Sequence, residues 1–242
     1  MCVIAWCWRQ HPDYPLAVIG NRDELHERAA EPAHWWGDAP EVLAGRDAEA
    51  GGTWLGVTRG GRFAAVTNRR PAQRPPDAPS RGALTAGFLK TAIDVPAAAA
   101  GIAAAADLYA GFNLLIGDRE ALAFVSNRES DRVLAPGVYG MANAGLDEPA
   151  AKVQGLKAIL DQWAASGDPP AFDAWLDRLA DDAAPDEDNP LSAVFVRGER
   201  YGTRASTVFV LAADGRARFV ERRFGAGGAA LGEERFDFRA PA

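Results

Sequence analysis

Residues 51–70 read GGTWLGVTRGGRFAAVTNRR. Two short runs, TWLGV and RFAAVT, flank Arg59-Gly60-Gly61, whose glycines supply the positive φ that a tight reversal needs. The stretch is a β-hairpin, and a hairpin makes its strands antiparallel. The same pattern recurs on both sides. CVIAWCW (2–8) has no helical period and is rich in strand formers; HPDYP is a turn; LAVIGNRDE (16–24) is a second strand that runs into a polar end. FNLLIGD and ALAFVSN, around 112–127, form another hairpin, and RVLAPGVYGMANA adds strand-like pieces ending in an asparagine. AVFVRG, ASTVFVLAADGRARFVERRF and ERFDF close the chain as strands, with Asp214-Gly215 as a turn. Residues 25–50 carry few periodic signals and are expected as loop with short turns. RRPAQRPPDAPS is a proline-rich connection.

Between the hairpins lie helical stretches. SRGALTAGFLKT (80–91) is amphipathic with Ser80 as a candidate N-cap, and VPAAAAGIAAAADLYA (95–110) is alanine-rich. Residues 148–166 and 171–182 repeat apolar residues at helical spacing. Hairpins, two helices, hairpins, two helices, hairpins: this order excludes a doubly wound parallel sheet. It predicts one α+β domain over residues 1–242, a four-layer αββα sandwich of two mainly antiparallel sheets flanked by helix pairs.

The 242 residues are 48% hydrophobic and 24% charged, with net charge −7. No basic tract offers a nucleic-acid footprint. The N-terminal apolar run is too short for a membrane span and lacks a basic lead-in, so a cytoplasmic location is expected. Cys2 and Cys7 sit five apart in one strand, roughly 16 Å if extended, whereas a disulfide needs Cα atoms within about 7 Å. His11, His26 and His34 have no ligand-like spacing, and no metal site is expected.

Cys2 follows the initiator Met1. Removal of Met1 would leave Cys2 with a thiol and a free α-amine, whose reference pKa values of about 8.5 and 7.7–8.0 lie near neutrality. The amine can then serve as the thiol's own base without any histidine. The plainer reading is a small buried hydrophobe, which is the reading for Cys7. At the end of the second strand, Asn21-Arg22-Asp23-Glu24 should approach Cys2 if the first two strands pair. An arginine there would favour thiolate and an aspartate could orient the amine; an ion pair at a strand end is the plainer reading. Asn68, Asn113 and Asn143 each end or begin an apolar strand, where an amide can donate to an oxyanion or simply make a turn. In YGTRAST (201–207), Arg204 could bring positive charge, and Thr203, Ser206 and Thr207 could cap or line a site.

Taken in order, MCVIAW, NRDE, GGTWLG, TN, GFNLL, YGMANA and YGTR resemble the NRDE family, also called the Transport and Golgi organisation protein 2 family, over essentially the whole chain. That resemblance implies an N-terminal-nucleophile hydrolase-like αββα fold. More distantly the chain is similar to choloylglycine hydrolases and penicillin V acylase, where a mature N-terminal cysteine attacks an amide. Carried over, the catalytic residues fall on Cys2, Arg22, Asp23, Asn68, Asn143 and Arg204, with Asn21, Glu24, Asn113 and Thr203 on the substrate side. The acylases space their Arg and Asp as R-N-x-D; here Arg22 and Asp23 are adjacent, and adjacent strand residues face opposite ways. Either a local bend brings both in, or Asn21 or Glu24 takes one role.

Two functions follow. One is a cofactor-free hydrolase of a linear amide in a small molecule, with Cys2 as nucleophile. The other, implied by the family's eukaryotic members, is a non-catalytic protein that binds or traffics haem or a lipid metabolite. Trp6, Trp8, Trp35, Trp36 and Trp54 are expected mainly as core; no obvious axial pair supports haem, although His11, His26, His34 or either cysteine could ligate it.

Overall fold

The computed structural model describes residues 2–70, 75 and 77–241. Met1 and most of the proline-rich connection (71–74 and 76) lie outside the described residues. In chain order the first elements are β1 (Val3–Trp8), β2 (Leu16–Leu25), β3 (Ala30–Trp36), β4 (Ala39–Asp47), β5 (Leu55–Thr58) and β6 (Phe63–Asn68). Helices α1 (Gly82–Leu89) and α2 (Val95–Ala104) follow, then β7 (Phe112–Gly117), β8 (Leu122–Ser126), β9 (Arg132–Val133) and β10 (Gly137–Met141). The chain finishes with α3 (Ala151–Ser166), α4 (Phe172–Leu179), β11 (Tyr201–Leu211), β12 (Arg216–Phe224) and β13 (Ala230–Arg239).

The strands form two antiparallel sheets, a six-stranded one ordered β10-β1-β2-β11-β12-β13 and a seven-stranded one ordered β3-β4-β5-β6-β7-β8-β9. With four helices this is the expected α+β class. The hairpins read from sequence are all present. In the 51–70 hairpin, Leu55 pairs with Ala65, and Gly61 turns the chain at φ +82°.

The residues divide into two compact units. One comprises Met1–Arg28, Pro136–Ala142 and Asp147–Arg239; the other comprises Ala29–Ala135, Asn143–Leu146 and Ala240–Ala242. In the first unit, α3 and α4 cover one face of the six-stranded sheet. Val3, Ala5 and Cys7 of β1 and Ala17 and Ile19 of β2 pack there with Val153, Leu156 and Trp175. The alternate residues Ile4, Trp6 and Trp8 are also withdrawn from solvent, so β1 is buried on both faces. Each such Val, Leu or Ile contributes about 1.5–3 kcal/mol of burial free energy. In the second unit, α1 and α2 lie on one face of the seven-stranded sheet, against Val42, Val66, Leu114 and Val125.

Three local expectations are corrected. Residues 25–50 are not loop: they hold the end of β2 and all of β3 and β4. Register shifts between Glu31 and His34 and between Trp35 and Trp36 break the alternation that would have revealed them. AVFVRG is not a strand; residues 193–198 run irregularly between a 3-10 turn and β11. The N-cap of α1 is Arg81, and Ser80 Oγ accepts only from Gly82 N, at 3.3 Å.

Candidate active site

β1 and β2 pair antiparallel with Val3 opposite Asn21, so the first residues of the chain meet the polar end of β2. Gly20 permits the approach, since a Cβ there would stand 2.7 Å from Val3 O. Cys2 keeps part of its surface open, yet close packing around the sulfur pushes its thiol above the usual range. The Asp23 carboxylate adds to that rise, while the Arg22 charge and a hydrogen bond from the Asp23 backbone amide work against it. A protonated thiol near neutrality must lose its proton to a base before it attacks.

Asp23 is 4% exposed. Burial raises its carboxyl from 3.8 to about 6, opposed by a hydrogen bond from Thr203 and by the Lys152 charge. Thr203 Oγ1 donates to Asp23 Oδ1 at 2.7 Å and accepts from Val196 N at 2.9 Å. Thr203 N in turn donates to Val196 O. The buried threonine thus holds the aspartate and is itself held by the irregular 193–198 segment. Thr203, expected on the substrate side, has its hydroxyl on Asp23.

The strand that pairs with Arg22 and Asp23 is irregular beside them. Between β2 and β11 the register runs Asp23 to Thr203 and Arg22 to Ala205, leaving Arg204 as the extra residue of a bulge. Regular pairing would set Arg204 directly opposite Arg22, two like charges across a ladder. The bulge aims Arg204 Nη1 at the carbonyls of Leu25 and Arg28, at 2.8 and 2.9 Å. Burial and the Arg22 charge lower the Arg204 pKa, and Glu24 opposes them. Glu24 pairs loosely with Arg22 at 3.8 Å and accepts from Leu25 N.

Asn21 does different work. It is fully buried; its Nδ2 donates to Leu179 O and Val194 O, and its Oδ1 accepts from Ser206. Its side-chain polar atoms are engaged in tying β2 to α4, β11 and the irregular segment. Asn113 is likewise fully buried, with its amide on Thr67 and its carbonyl accepting from Ser126. Asn68 and Asn143 touch each other in the second unit: Asn143 Nδ2 donates to Asn68 O, and Arg70 N donates to Asn143 O. Asn143 Oδ1 is buried with no hydrogen-bond partner among the described residues.

The chain belongs to the Transport and Golgi organisation 2 family. The family's model matches residues 1–226. Among curated relatives, the Transport and Golgi organization protein 2 homologs of Bos taurus and Homo sapiens are each 34% identical over 255 residues, covering 92% of this chain and 92% of theirs. Among solved structures, a Caenorhabditis elegans N-acylethanolamine-hydrolyzing acid amidase ortholog matches with TM-score 0.47 and 13% identity, over 86% of this chain and 92% of that one. The C2A mutant of a Clostridium perfringens conjugated bile acid hydrolase matches with TM-score 0.44 and 11% identity, over 98% of this chain and 92% of that one.

Sequence reasoning for this family member missed Lys152. It is buried in the first turn of α3, with Nζ on Leu191 O at 2.9 Å, and its charge acts on Asp23. The available signal was its spacing: Lys152 stands one turn before the buried Leu156, on the apolar stripe. His11, His26 and His34 each have a ring nitrogen on a backbone carbonyl, of Asp168, Gly198 and Pro32 respectively. No helix among the described residues is long and apolar enough to cross a membrane.

Proposed function

We propose that this protein is an N-terminal-cysteine hydrolase of a linear amide bond in a small molecule. The observation that carries the reading is the grouping of Cys2, Arg22 and Asp23 at the β1–β2 end, with Asp23 buried, held by Thr203 and raised by burial to about 6. Removal of Met1 would free the Cys2 amine one residue beyond the Val3–Asn21 pair, at the residue on which Arg22 and Asp23 act. Asp23 accepts from that amine and fixes its orientation. The amine takes the thiol proton, and the sulfur attacks the amide carbonyl to form a tetrahedral oxyanion. Collapse breaks the C–N bond as the amine returns the proton to the leaving nitrogen. Water then attacks the thioester, releasing a carboxylic acid and restoring the thiol. Arg22 and Arg204 favour anionic species at the site. The roles of Asn68 and Asn143, at the oxyanion and the amine, rest on the family resemblance alone.

The test is intact mass together with an electrophilic acyl probe. Mature protein should lack Met1, and the probe should label wild type but not Cys2→Ala. Active protein that retains Met1 would overturn the mechanism. Labelling without turnover of any amide in a broad acyl-amide panel would favour the alternative, a protein that holds haem or a lipid metabolite without hydrolysing it.

A further inference from the structure

The first unit holds a concavity in whose lining Cys2 takes no part. It lies between α3, α4 and residues 181–194 and has a volume of about 260 Å³. Its apolar wall is Leu156, Ile159 and Val194. Two cations line it. Lys152 is 6% exposed, and lysine is rarely so buried. Arg178 is exposed and makes no side-chain hydrogen bond or ion pair among the described residues. The lining carboxylate, Asp181, is turned to its own loop, where Oδ1 accepts from Ala183 N at 3.1 Å.

Gly155 also lines the cavity, in the interior of α3. Glycine there costs about 1 kcal/mol relative to alanine, and a Cβ at this position would meet nothing within 4 Å. Packing does not demand the glycine. What it leaves open is the space above the cavity.

We propose that this cavity binds a small amphipathic carboxylate, its head group on Lys152 and Arg178 and its alkyl chain on Leu156, Ile159 and Val194. Both cations line the cavity beside its apolar wall, and a carboxylate with a short tail matches that pairing of charge and apolar surface. The volume lies just below the usual range for ligand sites and suits an acid of about six carbons. Val194 of the wall belongs to the segment whose Val196 holds Thr203, so an occupant rests against the support of Asp23.

Calorimetric titration of the full chain with hexanoate, and with hexanamide as neutral isostere, tests the site. One saturable hexanoate site is expected, with hexanamide at least tenfold weaker. Gly155→Trp, which fills open space, should abolish binding, and Arg178→Gln should weaken it about tenfold. Arg178 is exposed, so that variant keeps its fold even if Lys152→Met does not. Cys2→Ala should bind hexanoate unchanged, which separates this site from the thiol. Absence of saturable binding, equal affinity for hexanamide, full binding by Gly155→Trp, or loss of binding in Cys2→Ala would each overturn the proposal.

Discussion

Cys7 lies among Val3, Ala5, Ala17 and Ile19, fully buried beneath α3 and α4. Cys2, at the other end of the same neighbourhood, meets Arg22 and Asp23. Burial pushes both thiols upward, so the difference between them is not a ready-made thiolate. The difference is the company. Cys7 has the Gln10 and His11 backbone amides and the distant Asp161 charge around it; Cys2 has a cation, a buried carboxylate and the place where a freed α-amine would stand. Identical side chains near one strand acquire different chemistry from the strand that pairs beside them.

The comparison can be broken most severely at Cys2. Cys2→Ala should lower amide turnover by on the order of 10³-fold or more, while Cys7→Ala leaves turnover within about twofold. Steady-state kinetics on a substrate found in the acyl-amide panel reads both. Equal losses would remove the distinction.

Asp23→Asn sharpens it through pH. The Asp23 carboxyl is raised in the folded protein, so it binds a proton more tightly there than in the unfolded chain. Its stabilising contribution is complete below pH 3.8 and is lost as pH rises through about 6. Above that, the buried charge costs up to about 3 kcal/mol. Asp23→Asn should therefore raise the denaturation midpoint at pH 7.5, leave it unchanged near pH 3.5, and lower turnover. A variant that is less stable at both pH values would contradict this account.

Asn21→Leu should cost about 2–3 kcal/mol of stability through unpaired carbonyls and the orphaned Ser206 hydroxyl. In the protein that remains folded, kcat should stay close to wild type. Urea melts and active-site titration together check that split. Thr203→Val is expected to be milder, about 1–2 kcal/mol, from the lost acceptor of Val196 N. Because the Thr203 hydrogen bond favours the charged carboxylate, its removal should move the acid limb of the pH–rate profile to higher pH. Cys7→Ala should show the smallest effect, about 1 kcal/mol from a small core void.

Much of the fold was legible. The 55–68 and 112–126 hairpins announce themselves because short apolar runs alternate with turn glycines, and both faces of those strands are buried. β3 and β4 did not, because β3 is an edge strand interrupted by bulges, and half-exposed strands carry charge on one side. AVFVRG misled for the opposite reason. It is apolar and mostly buried, yet its backbone groups are met singly, by the side chains of Asn21 and Thr203 and by scattered backbone partners, rather than by a ladder. Within NRDE, sequence offered four polar residues with interchangeable prospects. Burial distributed them: Asn21 to the scaffold, Asp23 to a shielded carboxylate, Arg22 and Glu24 to a half-open charged rim.

The sequence by itself determined the antiparallel α+β class, the family and the pairing of the Cys2 strand with the strand that ends in NRDE. These follow from local periodicity, turn residues and short motifs, all of which are written within a few consecutive positions. Only the tertiary structure decided that a bulge at Arg204 keeps it from facing Arg22, that Thr203 holds Asp23, and that Lys152 lends its charge from α3. Those contacts join residues about 130 to 180 positions apart, and side-chain desolvation depends on what arrives from elsewhere in the chain.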